Sequence, residues 1–277
     1  MTAGAAAADL VAHRPMLFGL AYRLLGSAHD AEDVLQDAYL RWLGADRAAV
    51  AEPRRYLSRI VTHLAMDRLR ARQAEPYVGP WLPEPLPAGD VDPAEHRESL
   101  SLAMLHLLER LTPPERAVYV LRTAFDLPYP EIAEILDRTP EDCRQLHHRA
   151  TGHLPAQRRF TAAPAERERL LDRFLAAARE GDLAALKRLL AADAVAWSDG
   201  GGRVKAARRP IVGADRVARF FAGIYSGVCS VCPVMLAGEP ATIVGRHVLT
   251  LDVTGGVVTG VYLIGNPDKL RRFPELS

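Results

Sequence analysis

The sequence predicts a multidomain protein, two all-α units followed by a C-terminal α+β domain, and three features of the 277-residue chain lead there. Apolar residues recur at helical spacing over residues 10–73 and again over about 94–160. Six prolines fall between positions 76 and 93, a density that no helix tolerates. From Pro164 onward, helical stretches give way to glycine-rich turns and β-rich runs. The chain is also longer than the roughly 250 residues at which single cores stop growing.

Composition narrows the function classes. Hydrophobic residues make up 49% and charged residues 25%, as in a globular protein. The formal net charge is +1, so a nucleic-acid surface would have to be local, with acidic surface elsewhere. No stretch approaches the roughly 18 to 20 apolar residues of a membrane span. The Ala-rich start, residues 3–8, has no basic n-region and is interrupted by Asp9, so it does not read as a signal peptide. Three cysteines, an odd number, fit a reducing compartment better than a disulfide scaffold. A cytoplasmic protein with no membrane partner is expected.

In the first unit, Leu17, Leu20, Ala21, Leu24 and Leu25 mark one helix face. Ser27 to Asp30 opens a second helix, with Glu32 and Asp33 early in it as the helix dipole favours. That helix carries Val34, Leu35, Ala38, Leu40, Trp42 and Leu43. Pro53 starts a third, whose apolar positions are Leu57, Ile60, Val61, Leu64, Ala65 and Leu69. Between Pro53 and Gln73 it holds six arginines against one Asp67. Arg55, Arg59 and Arg70 or Arg72 share a face that suits a phosphate backbone or single-stranded DNA. Taken as an isolated helix, it reads better as a solvated amphipathic face.

The proline-rich stretch that follows is an extended linker. It nevertheless contains Tyr77, Trp81, Leu82 and Leu86, apolar groups that a solvated tether does not need, so it is expected to dock. Beyond it come helices over 100–111 and 114–124, then a short helix over 129–136 burying Ile132, Ala133 and Leu136. Asp137 and Arg138 break that helix. Thr139 caps the next, with Pro140 first and Glu141 and Asp142 in the first turn. Cys143, Leu146 and Ala150 face inward, leaving Arg144, Gln145, His148 and Arg149 outward. Arg suits guanine edges or phosphates and Gln suits adenine, so this is a helix-turn-helix with a major-groove helix. A plain helical hairpin with solvated charges is the alternative.

At this point the chain resembles a known family. Asp30-Ala-Glu-Asp-Val-Leu-Gln-Asp37 and its continuation to Trp42 resemble the helix by which sigma factors bind the clamp of RNA polymerase. The run from Pro53 to Arg70 resembles the helix that melts and reads the −10 element. Leu111-Thr-Pro-Pro-Glu-Arg-Ala-Val-Tyr-Val-Leu121 with the helix-turn-helix is similar to the domain that reads the −35 element. These lie in the order and spacing of the extracytoplasmic-function (ECF) sigma factors, over residues 9–160. Trp81-Leu-Pro-Glu-Pro85, Asp199-Gly-Gly-Gly202 and Asn266-Pro-Asp-Lys269 resemble the marks of a subgroup with a fused SnoaL-like domain, a cone-shaped α+β barrel.

The resemblance implies sigma region 2 over 1–75, a linker over 76–94, region 4 over 95–162 and the SnoaL-like domain over 163–277. It implies core RNA polymerase as partner of Asp30, Glu32, Asp33 and Asp37. The −10 strand would meet Arg55, Arg59, His63, Asp67 and Arg68, and the −35 duplex Arg144, Gln145, His148 and Arg149. Cis regulation would run through Trp81, Leu82, Pro83, Glu84 and Pro85 of the linker. On the C-terminal domain it would use Asp199, Gly200, Gly201 and Gly202 with Asn266, Pro267, Asp268 and Lys269. No obligate anti-sigma factor is expected, and a small ligand in the C-terminal cavity is a further candidate partner.

The C-terminal domain shows no catalytic constellation. Asp199, His247 and Asp252 are candidate bases, but none forms a motif with a second group, and His247 reads as a core histidine. Residues 241–253 read as one strand run, with Gly255-Gly256 as the hairpin turn to 257–264. Cys229 and Cys232 lack two further zinc ligands, and two buried thiols or a redox switch remain as readings. No metal or cofactor and no enzymatic activity are expected. The competing readings are a ligand-sensing helix-turn-helix regulator, which would not need the acidic helix, and an enzyme with helical appendages.

Overall fold

In a computed structural model of the protein, the residues described are 3–46, 49–88, 101–154, 162–273 and 276, with side chains from residue 11. The expected end of the linker at 89–94, the region 4 start at 95 and the helical continuation beyond 154 lie outside them. The chain forms two units. One comprises residues 1–76, 91–100 and 105–156, the other 77–90, 101–104 and 157–277.

The first unit is all helical. Its elements are α1 (Ala3–Leu25), α2 (Ala28–Leu43), α3 (Pro53–Gln73), most of α4 (Leu102–Leu108), α5 (Pro113–Thr123), α6 (Tyr129–Leu136) and α7 (Pro140–His153). Burial follows the apolar spacing: Leu17, Leu20 and Leu24 of α1, Val34, Leu35 and Trp42 of α2, and Leu57, Val61 and Ala65 of α3 are all buried. Each such large side chain contributes about 1.5–3 kcal/mol on leaving water. The Trp42 ring lies 5.5 Å from that of Tyr56. Within the bundle, Arg116 is fully buried, donating to Arg23 O and to the Glu109 carboxylate. Burial alone would raise the Glu109 pKa, but the Arg116 and Arg72 guanidiniums hold it below the usual carboxylate range.

Helix starts obey local capping. Ser27 Oγ accepts the Asp30 amide at 3.2 Å. Thr112 with Glu115 and Thr139 with Asp142 each form a reciprocal capping box. Asp137 closes α6 in the left-handed conformation, φ 53°, which Asp tolerates better than most residues.

The second unit is α+β. Helices α8 (Pro164–Glu180), α9 (Leu183–Leu189) and α10 (Ala214–Tyr225) accompany β1 (Leu190–Asp199), β2 (Ile211–Val212), β3 (Val231–Leu236), β4 (Glu239–Val244), β5 (His247–Thr254) and β6 (Val257–Ile264). They form one sheet in the order β2-β1-β6-β5-β4-β3, with β1 parallel to β6 and the other pairs antiparallel. The expected cone-shaped barrel is therefore an open sheet among the described residues, with β2 and β3 at its edges. The run expected over 241–253 is two strands broken at Gly245 (φ 58°) and Arg246. Residues 190–199 are a strand despite four alanines. Gly255 and Gly256, at φ 60° and 77°, make the β5–β6 hairpin turn as expected.

Both faces of this sheet are apolar. Leu249, Leu251 and Val253 of β5 and Val261 and Leu263 of β6 pack with α8 and α10, where Phe174 meets Phe221 edge-on at 5.1 Å. The alternate residues Val248, Tyr262 and Ile264 belong to a second cluster that Leu82, Leu270 and Phe273 complete. Helices cover the first face. The proline-rich segment and the C-terminal tail cover the other.

Candidate functional site

On α2 the spacing i, i+3, i+7 brings Asp30, Asp33 and Asp37 to one face. All three gather around Arg68 of α3, at 3.4, 3.1 and 3.7 Å, while Glu32 pairs with Arg14 at 2.6 Å. Arg68, expected on the −10 strand, thus faces the carboxylates expected on polymerase. Asp67 is exposed and pairs with Arg70. Arg72 is not part of the basic stripe, because it turns inward to Leu25 O at 2.6 Å and to Glu109 at 2.8 Å.

Arg55, Arg59 and His63 do share a face of α3, four residues apart. Each is engaged by the first helix of the helix-turn-helix or by its C-cap, Asp137. Arg55 Nη1 meets Glu134 at 2.8 Å, and Arg59 Nη2 donates to both Asp137 oxygens at 2.7 and 2.9 Å. His63 Nε2 donates to Ile135 O at 2.8 Å. A cleft of about 520 Å³ lies beside them, lined by Asp46, Glu52, Arg55, Tyr56, Arg59 and Glu134 among others. The sequence singled out the three α3 residues but not Glu134 or Asp137, whose partners lie more than 70 residues away.

The second helix of the motif has the expected geometry. Cys143, Leu146 and Ala150 are buried, and Arg144, Gln145, His148 and Arg149 are exposed. Arg144 rests on Glu141 at 3.0 Å and over the Tyr129 ring, and Arg149 meets Glu115 at 3.3 Å. His147 Nδ1 and the Tyr129 hydroxyl share a hydrogen bond at 3.1 Å. Burial lowers the pKa of that ring.

The proline-rich segment is built into the second unit around Asp199, which is 1% exposed. One Asp199 oxygen accepts the Tyr77 hydroxyl at 2.6 Å and the Gly201 amide at 3.0 Å. The other accepts the Leu82 amide at 2.9 Å and Lys269 Nζ at 2.7 Å. Lys269 also donates to Leu82 O and sits 4.1 Å from the Trp81 ring centroid. Asn266 Nδ2 donates to the Tyr77 hydroxyl at 3.1 Å. Burial, with the Asp199 carboxylate next, pushes the Tyr77 phenol far above its usual pKa, so it stays a donor.

Glycine is required here. A Cβ on Gly201, whose φ is +58°, would collide with the Asn266 amide, and one on Gly200 would lie 2.5 Å from Val204 O. Further along, Ala88 N–H donates to Met235 O and Ala237 N–H to Leu86 O, so the segment covers the β3 edge. Glu84 is buried, 3.7 Å from Arg272. Every motif the sequence nominated for interdomain control meets at this one place. Tyr77 was expected to dock, but its hydroxyl role was not foreseen, nor was Arg272.

Asp199 has its acceptor sites filled by four donors, which leaves it unsuited to act as a base. Asp252 accepts the Thr259 hydroxyl at 3.3 Å. His247 is half-buried against the Tyr225 ring, with its pKa lowered by burial. Cys229 and Cys232 are both exposed, which corrects the expectation of two buried thiols: Cys229 lies ahead of edge strand β3, and Cys232 on it. Among the described residues no group of three or more His, Cys, Asp or Glu side chains could hold a metal ion. None of their helices is long and apolar enough to cross a membrane.

A helical bundle with a basic helix, a capped helix-turn-helix and an appended α+β domain define a DNA-binding transcription factor. Residues 10–75 match the family model for Sigma-70 region 2, and residues 101–154 that for Sigma-70, region 4. The chain is 33% identical over 293 residues to the ECF RNA polymerase sigma factor SigJ of Mycobacterium tuberculosis, covering 96% of this chain and 93% of that protein. It is 31% identical to a probable ECF RNA polymerase sigma factor, SigI, of the same species, with 94% and 92% covered. The crystal structure of SigJ superposes with a TM-score of 0.77 at 30% identity, covering 97% of this chain and 99% of that one. The chain belongs to the ECF RNA polymerase sigma factors. It is a promoter-specific initiation factor, not an enzyme, and its partners are core RNA polymerase and promoter DNA.

Proposed function

We propose that the C-terminal domain controls this sigma factor in cis by holding the segment that joins its two sigma regions. The observation that carries the reading is the Asp199 cluster, where one buried carboxylate binds Tyr77, Leu82 and Lys269 together. The sheet face under Leu82 is apolar, so releasing the segment exposes that face and strands a buried ion pair. Docking and release are therefore two distinct states. The occupant of Asp199 is the linker itself, so neither a small ligand nor a separate anti-sigma factor is required, and the protein acts in the cytoplasm with polymerase.

In the same reading, core polymerase meets Asp30, Glu32, Asp33 and Asp37, whose charge suits a basic clamp surface. Arg55, Arg59 and His63, with Asp67 and Arg68, meet the −10 strand. Arg144, Gln145, His148 and Arg149 meet the −35 duplex, which their exposure on a capped helix supports. The domains serving these roles are residues 1–75, 95–162 and 163–277.

The test is transcription in vitro with core polymerase, comparing the full-length chain with a 1–164 truncation. The expected result is the same start site with altered polymerase affinity and transcript yield. Equal yield and affinity from both forms would remove the cis control, and no initiation from either would remove the sigma assignment.

A further inference from the structure

We infer that the C-terminal domain carries a DNA-phosphate contact of its own, the loop at residues 203–209, placed to grip the promoter duplex between the −10 and −35 elements. This inference rests on the sigma reading above.

The loop contains Arg203, Lys205, Arg208 and Arg209, and no Asp or Glu occurs from Gly200 to Ala214. In a chain whose net charge is only +1, that is a concentrated positive patch. All four side chains are exposed. Arg203 lies 3.4 Å from Asp268, itself also paired with Arg271, while Lys205, Arg208 and Arg209 have no ion pair among the described residues. Unneutralised clusters of this kind favour a polyanion, because each phosphate contact releases condensed counterions.

The patch is held firmly. Gly201 and Gly202 turn the chain at φ 58° and 71°, and the Arg203 and Val204 amides both donate to Gly200 O at 2.9 and 3.2 Å. Its backbone lies against the docked linker. A Cβ on Gly79 would be 3.6 Å from Ala207 O and 3.7 Å from Arg208 Cα, and one on Gly202 would be 3.4 Å from Val78 Cβ.

That contact locates the loop along the promoter. Val78 follows Gln73, the end of α3, by only five positions, a span of at most about 18 Å. With α3 on the −10 strand and the linker docked, the loop stays within reach of the adjoining duplex. The duplex that adjoins the −10 element on its −35 side is the spacer. Phosphates there recur about every 1.7 Å of helix axis. An acidic protein surface on polymerase is the other anion in range. The repeat of phosphates along the spacer, independent of sequence, fits four cations on an irregular loop better than one matched protein patch.

The test uses the full-length chain with core polymerase on a promoter from which it initiates. Affinity for that DNA is measured against salt for wild type, for Lys205→Ser/Arg208→Ser/Arg209→Ser, and for the charge-matched control Arg169→Ser/Arg173→Ser/Arg188→Ser on α8 and α9. The loop variant is expected to flatten the slope of log K against log salt by about 2 to 3, near 0.9 for each lost contact, and the control to leave it unchanged. Equal slopes for all three proteins, or equal flattening by both variants, would overturn the inference. So would a loop variant that loses core affinity with its DNA slope intact, since the partner would then be polymerase. Failure of wild type to initiate on any promoter marks instead the failure of the sigma reading.

Discussion

Arg59 donates two hydrogen bonds to one carboxylate, that of Asp137, at 2.7 and 2.9 Å across 78 positions of sequence. With Arg55 on Glu134 and His63 on Ile135 O, it leaves the face assigned to the −10 strand covered by carboxylates where DNA phosphates would sit. Both partners of the Arg59 pair are about half exposed, so each such pair is worth only about 0.2–1 kcal/mol. Glu134→Gln/Asp137→Asn is expected to bind a labelled single-stranded −10 oligonucleotide about two- to fivefold more tightly, a range that follows from those energies. Anisotropy titration against a Glu180→Gln control checks this, and an unchanged affinity would show that the contacts do not compete with DNA.

The Asp199 cluster should be visible in the free protein. The Leu82 amide, bonded to a buried carboxylate, is expected to exchange slowly for a residue in a proline-rich loop. Tyr77→Phe removes two hydrogen bonds, one to Asp199 and one from Asn266, costing about 1–3 kcal/mol, and should raise the exchange of this segment by about fivefold or more. Asp199→Ala leaves Lys269 buried and unpaired, and should cost about 3–5 kcal/mol. Hydrogen exchange resolved over residues 77–88 measures both.

Acid sensitivity should trace in part to Glu109. Its folded pKa is depressed by Arg116 and Arg72, so its contribution is present above the unfolded value of about 4.3 and is lost as pH falls through the folded one. Glu109→Gln should destabilise the protein by about 3–5 kcal/mol near neutrality, because Arg116 remains buried. The gap from wild type should narrow below about pH 4. Urea melts at pH 7 and at acid pH test the sign.

The thiols should divide by position. Cys229 and Cys232 are exposed, while Cys143 is buried and its pKa raised by that burial. Two thiols are expected to react rapidly with a disulfide reagent in the native protein, and the third only in denaturant. Three slow thiols would contradict the geometry.

The helical elements were legible because their signals are local. Thr139, Pro140 and Asp142 announce a helix start whatever surrounds them, and the apolar spacing of α3 predicts its buried face. The β elements were less so. Residues 190–199 are rich in Ala, which favours helix, and become a strand only through pairing with β6. The β4–β5 turn is set by one positive-φ glycine, Gly245, followed by an ordinary arginine. Of the candidate site, Asp199, Asn266 and Lys269 were found through motif resemblance. Their meeting with Tyr77 was not, because no local rule connects residues 122 positions apart. Arg68 and Arg72 show the same limit: helical spacing gives their face on α3, but the carboxylates that claim them, Asp33 and Glu109, lie in other segments of the chain.

The most direct measurement of the central claim is run-off transcription by core polymerase saturated with either the wild-type chain or Asp199→Ala. If the buried carboxylate holds the linker in a controlling position, the variant should start at the same nucleotide while its yield shifts several-fold. Identical yields, from a variant whose residues 77–88 exchange freely, would mean that the docked linker does not govern initiation.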